Sequence, residues 1–199
     1  MASETDTHLF SNWAKERLDE IDATLAALQA RVDTLQAETK TQAEKTIAEM
    51  RAQQQVFQDT LKKQTAEGTA NWVDLMRGLE SNWASFEALV QKYMNTTWKD
   101  AQHIQETFSA RADAQRKAWQ EALASLRGKA NTFAAAHKKE ADEALNQLKA
   151  AAETAKARLE TQQKAGVESW DALKTALEES RAAFDKATRK VIEAFTKAA

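Results

Sequence analysis

Proline and cysteine are absent from the 199 residues, and glycine occurs only at Gly68, Gly78, Gly128 and Gly166. Turns between strands draw on Gly, Pro, Asn and Asp, so a β-rich fold has almost nothing to turn with. Without cysteine there is no disulfide framework and no thiolate metal site, which suits a reducing, cytoplasmic setting. The opening MASETDTHLFSNW lacks a basic n-region and an apolar h-region, so no secretory signal is expected there. Apolar runs stop after a few residues, as in LAAL at 25–28, and no transmembrane insertion is expected.

The chemistry of catalysis is equally sparse. There is no Gly-rich phosphate loop, no cysteine nucleophile and no His–Ser–acid grouping that the sequence places together. No enzymatic activity and no cofactor are expected. Three histidines occur, His8, His103 and His137, and Asp100, His103 and Glu106 share a helical face at i, i+3 and i+6. A helical metal site needs further ligands from a facing helix. No metal is expected, and these residues read as ordinary polar surface.

What remains is helix-forming material. Ala, Glu, Lys, Gln, Leu and Arg dominate throughout, and the fold class is all-α. Net charge is −2, unevenly spread: residues 1–60 carry an acidic excess and residues 101–199 a basic one. That asymmetry favours antiparallel contact between the two ends. Neither half has the dense basic patch that phosphate backbones require, so nucleic acid is not an expected partner.

Two periodicities divide the chain. Leu18, Ile21, Leu25, Leu28, Val32 and Leu35 alternate steps of three and four, the seam of a left-handed coiled coil. This marks residues 1–67 as a coiled-coil segment and these six residues as an oligomerisation seam. From residue 68 to 199 an eleven-residue spacing takes over. It links Leu126, His137, Leu148, Leu159, Trp170, Arg181 and Ile192. Eleven residues make three turns at 3.67 per turn, close to the helix's own 3.6. From Phe10 to Phe195 an apolar or alanine position recurs about every 3.63 residues, which keeps one continuous face.

Aromatic side chains punctuate that face. The stretch NWVDLMRGLESNWASFEALV at 71–90 holds Trp72, Trp83 and Phe86 on one helical side. Trp72, Trp119 and Trp170 each have a Phe fourteen residues on, at Phe86, Phe133 and Phe184, in three related helical units. Gly68, Gly128 and Gly166 are candidate hinges, since helical glycine costs roughly 1 kcal/mol against alanine. Two architectures fit: an extended coiled coil, or an elongated bundle of three or four long helices.

A lone rod would expose far more apolar surface than monomers normally show, so something covers the stripe. It is either the interior of a helical bundle or an amphipathic face for a lipid or polymer surface. Thr65, Gln115, His137, Arg181 and Thr188 interrupt it, as a wet interface tolerates and a permanent core penalises. On the second reading Trp72, Trp83, Phe86, Trp98, Phe108, Trp119, Phe133, Trp170 and Phe184 touch the partner.

With its proline-free, alanine-rich helices and the Leu126–Ile192 ladder, the chain resembles apolipoprotein-type helices. It also resembles phasins, small bacterial proteins that coat polyhydroxyalkanoate granules. Apolipoprotein repeats are commonly broken by prolines, which this chain lacks. The resemblance implies a non-enzymatic coat on a hydrophobic granule or lipid interface, self-associating in water. The alternatives are a coiled-coil scaffold or oligomeric helical bundle, and a stress-protective helical protein.

Overall fold

The computed structural model describes the backbone of residues 4–67, 72–97, 101–132, 135–165 and 169–198, and the side chains of 11–62, 77–97, 101–132, 138–165 and 169–195. Six helices follow one another: α1 (Glu4–Val32), α2 (Ala37–Glu67), α3 (Trp72–Thr96), α4 (Ala101–Ala130), α5 (Ala135–Ala165) and α6 (Trp170–Ala198). At 1.5 Å rise per residue each is roughly 40–45 Å long. The described residues contain no strand. The all-α expectation holds, but the helices are shorter and more numerous than three or four.

Threonine, rather than glycine or proline, marks the ends that are described. At the end of α1, Thr34 donates its backbone N–H to the Arg31 carbonyl at 3.0 Å and its hydroxyl to the same oxygen at 2.7 Å. Thr132 repeats this on the Lys129 carbonyl at the end of α4, with bonds of 2.9 Å and 2.7 Å. At the end of α3 the Thr97 N–H reaches the Tyr93 carbonyl at 2.9 Å. A hydroxyl that satisfies an orphan carbonyl offers the backbone an alternative to another helical turn. Ser169 caps α6 from the other side, its Oγ accepting the Ala172 N–H at 3.3 Å.

The expected glycine hinges stand differently. Gly128 lies inside α4, two residues before its end at Ala130, and the helix runs through it. Gly68 and Gly166 fall outside the described residues.

Cross-helix contacts give the topology. Going up α1, partners on α4 go down, from Lys15–Glu121 to Glu20–Gln115 to Arg31–Glu106. α1 meets α6 in the same antiparallel sense, through Arg17–Asp185 and Glu20–Arg181. The helices therefore alternate up and down, with α1 inside, packed on α2, α4 and α6. α5 leans on α4 and α6, and the backbone of α3 approaches that of α2. The acidic N-terminal third thus meets the more basic C-terminal half within one chain.

One apolar core takes residues from all six helices, running from Ile21 and Leu28 on α1 through Ile47 on α2 and Phe86 on α3 to Leu159 on α5 and Ile192 on α6. The division at residue 67 separates α2 from α3 but does not divide the core. A smaller cluster of Ala14, Phe57 and Leu79, with Trp13, Leu18 and Leu61 against it, closes one end. The seam expected to oligomerise is used inside the chain. Ile21, Leu25, Leu28 and Val32 are buried, and Leu18 and Leu35 are half-buried. The physical reason is proximity: the chain's own α2 and α4 reach that face before a second copy does.

Two helical glycines test how freely the helices pack. A Cβ added at Gly78 or Gly128 meets no heavy atom within 4 Å. Gly78→Ala and Gly128→Ala should each raise stability by about 0.5–1 kcal/mol in urea unfolding. Loss of stability instead would mean that one of these helices must bend at its glycine.

Candidate functional site

Helical periodicity buries what it places on the inner face, whatever the side chain. At the junction of α1, α3, α4 and α6 it places Glu20, Glu87, Arg111, Gln115 and Arg181, all nearly or wholly closed to solvent. Arg111 and Gln115 are four apart and Trp119 four further on, so one stripe of α4 aims all three inward. Glu16 and Glu20 do the same on α1.

Glu20 is the hub. Its Oε1 accepts from Arg181 Nε at 2.9 Å and from Gln115 Nε2 at 2.9 Å. Its Oε2 accepts from Arg181 Nη2 at 2.9 Å and from Arg111 Nη2 and Nε at 3.0 and 3.2 Å. Arg111 forks the other way to Glu87, with Nη1 donating to Oε2 at 3.2 Å and Nη2 to Oε1. Gln115 also donates to the Leu177 carbonyl at 3.2 Å. Aromatic faces complete the enclosure. Arg181 stands over the Trp83 ring at 4.6 Å, and Arg111 lies 5.8 Å from the Trp170 ring centre.

A second buried acid adjoins the hub. Glu16 accepts the Trp119 indole N–H at 2.9 Å and Arg17 Nη1 at 3.1 Å, while Arg17 reaches Asp185 at 2.8 Å. Trp119 stacks on Phe184 with centroids 5.0 Å apart.

These surroundings divide the two acids. Burial alone would raise the Glu20 pKa, but Arg181 and Arg111 hold it down to about 2. Burial raises Glu16 to about 8; Arg17 opposes that, and the Asp185 and Glu20 charges reinforce it. Arg111 and Arg181 are both held above the ordinary arginine value; burial works against this, and Glu20 and Glu87 overcome it. The cluster is sealed and internally neutralised, which fits a structural element better than a reaction centre.

The expected partner-binding aromatics fall largely inside. Phe86, Phe108, Trp119, Trp170 and Phe184 are buried and Trp83 is half-buried between the two apolar clusters. The side chains of Trp72, Trp98 and Phe133 lie outside the described residues. Val56, 45% exposed, is the one large hydrophobic side chain on the outside among the described residues. Among the described residues there is no outward aromatic strip, because helices turned stripe to stripe bury the face that a single helix would expose.

The stripe's polar interruptions are corrected in the same way. Gln115 and Arg181 are members of the buried network and Thr188 is buried nearby, so they mark an interior and not a wet surface. Thr65 and His137 lie outside the described side chains. His103, expected on polar surface, is buried against Tyr93 with ring centroids 6.4 Å apart. Glu106 is engaged by Arg31 at 2.9 Å and Gln102 at 3.0 Å, and Asp100 lies outside the described residues. Among the described residues no three His, Cys, Asp or Glu gather as a metal site.

Glu16, Glu20, Glu87 and Arg111 are absent from the sequence-based site. The signal that finds them is a charge falling on the apolar stripe: Arg111 follows Phe108 by three, and Glu87 precedes Val90 by three.

No protein-family model matches the chain, and no curated protein or solved structure matches it.

Two predictions follow from the network's energetics. Glu20→Leu leaves two buried guanidinium groups facing Glu87 alone and should cost about 3–5 kcal/mol in chemical unfolding. Replacing the whole network, Glu20, Glu87, Arg111 and Arg181, by Leu, Leu, Met and Met should recover much of that loss, because no buried charge is then left without its partner. A loss below about 1 kcal/mol for the single variant would remove the network from the structural argument.

Stability should also vary with pH in opposite senses for the two acids. Between the ordinary glutamate value of 4.5 and about 8, the unfolded chain has lost the Glu16 proton that the folded chain keeps, so stability falls as pH rises. Glu20 contributes stability above 4.5 that is lost as pH falls toward about 2. Glu16→Gln should flatten the decline between pH 5 and 8 in thermal melts, and an unchanged slope would assign that decline elsewhere.

Proposed function

We propose that this chain is a non-enzymatic amphipathic helical protein that coats a hydrophobic surface, a polyester granule or a lipid interface, by turning its interior face outward. The observation that carries the reading is the composition of that interior. The apolar stripe continues through all six helices and carries aromatic rings on every one but α5, yet the space it encloses is lined with charge and with polar groups that the closed bundle leaves unsatisfied. Trp170 Nε1, Ser180 Oγ and Thr188 Oγ1, all on α6, are buried without a hydrogen-bond partner among the described residues, as is Gln115 Oε1. Each such group costs roughly 1–3 kcal/mol in the closed state. Opening onto an interface lets water reach them while the aromatic rings stay out of it.

Each helix keeps its own amphipathic face, so exchange of neighbouring helices for a surface requires movement of helices and not their refolding. The phasin-like character of the sequence points the same way and favours a cytoplasmic, granule-associated setting. No helix among the described residues is long and apolar enough to cross a membrane, which is consistent with lying on a surface.

A second reading, a permanently closed helical-bundle scaffold, is favoured by the near absence of exposed large hydrophobics among the described residues. The two separate on mixing with polyester particles or liposomes. The coat should co-sediment, shift its tryptophan emission and lose near-ultraviolet dichroism while keeping its helicity. A scaffold should stay in solution with all three signals unchanged, and that result would overturn the coating reading.

A further inference from the structure

We infer that, on the coating reading above, the bundle opens between α3 and the α4–α6 pair and there receives the anionic head groups of a lipid surface, with Arg111 and Arg181 as the recognising pair. Glu87 is the internal stand-in for such a head group. Three observations place the opening at that seam.

The first is how α3 is held. Its backbone comes close to α2, whereas toward α4 and α6 it reaches across with side chains. Those links include Glu87 to Arg111, the longer Glu87–Arg181 contact at 3.9 Å, the Trp83 ring beneath Arg181 at 4.6 Å, the Tyr93 ring against His103, and Gln91 donating to Asp171 at 2.9 Å. The apolar side chains Phe86, Val90, Tyr93 and Met94 join the common core, but the α3 backbone stays nearer α2, whereas α5 packs closely on both α4 and α6.

The second is charge. Of the acids around the two arginines, Glu20 belongs to α1 and stays with α4 and α6, and Glu16 is engaged by Arg17 and Trp119. Glu87 alone rides on α3. When α3 leaves, two guanidinium groups share one carboxylate, and the exposed site carries a net positive charge.

The third is shape. Glu87 meets Arg111 with both carboxylate oxygens on both terminal nitrogens, the fork geometry that phosphate and carboxylate head groups share. Beside it stand the Trp83 and Trp170 rings, 5.7 and 5.8 Å from the Arg111 guanidinium, apolar surface for the chains attached to such a head group. A neutral polyester satisfies the rings but not the arginines. The site therefore selects an anionic amphiphile interface.

The chain's lack of cysteine makes the test direct. Gln91→Cys and Asp171→Cys place the only two thiols on facing surfaces of α3 and α6, and a short bis-maleimide joins them. Uncrosslinked protein should bind phosphatidylcholine vesicles containing phosphatidylglycerol roughly thirtyfold more tightly than pure phosphatidylcholine vesicles, the increment expected for two arginines at an anionic surface. The crosslinked form should lose binding to both. Glu87→Gln, which keeps the side chain's size and releases Arg111, should strengthen binding to the anionic vesicles. Arg111→Gln with Arg181→Gln should abolish the preference. Equal binding to the two vesicle types, or undiminished binding after crosslinking, overturns this inference and leaves the coating reading standing. Failure of every form to bind vesicles or polyester particles overturns both.

Discussion

A carboxylate held between two arginines, with no access to water, is the constraint on which the bundle's geometry depends. Glu20 cannot be left bare at that position, because an uncompensated buried charge costs more than most single contacts return. Its partners come from different parts of the chain, Arg111 and Gln115 from α4 and Arg181 from α6, and Arg111 in turn ties Glu87 of α3. Shifting one helix by a single residue moves its side chains about 1.5 Å along the axis and 100° around it. Such a slip would break several charge-assisted bonds together. The network thereby adds directional bonds to the register of four helices whose other inward residues, such as Leu28, Val90, Leu126 and Leu177, pack without directional preference.

The aromatic residues serve the same junction. Trp83, Trp170 and Trp119 are not spread as independent anchors; they wall the charged cluster, two beneath guanidinium groups and one donating its indole N–H to Glu16. A low-dielectric enclosure strengthens every bond within it and raises the cost of any group left without a partner. That double effect is visible on α6, where Arg181 is fully engaged while Ser180 and Thr188 are not. A fold with both properties is held in a specific shape without a uniformly apolar core.

On the proposed coating reading, the closed bundle and the coat would be two uses of one amphipathic pattern. In water, stripes face stripes; at an interface, the stripes would face the surface and the charged outer faces would stay where they are. The polar cluster would then set how easily one form passes into the other, since its bonds would be lost on opening and its unsatisfied neighbours relieved.

Much of this was legible in the residues. The absence of proline and the scarcity of glycine exclude β structure, and the 3.63-residue recurrence places Leu126, Leu148, Leu159, Leu177 and Ile192 on inner faces, where the fold buries them. Local sequence determines these because helix propensity and side-chain period act over a few neighbouring residues. Where the helices end was harder to read, because threonine caps at Thr34 and Thr132 resemble ordinary helical residues until their hydroxyls find a carbonyl. Whether the aromatic face meets a neighbour or the outside was decided by tertiary structure alone, and so was the pairing of Glu20 with arginines 91 and 161 residues away. A stripe states only that something must cover it; which surface arrives first depends on how six helices pack in space.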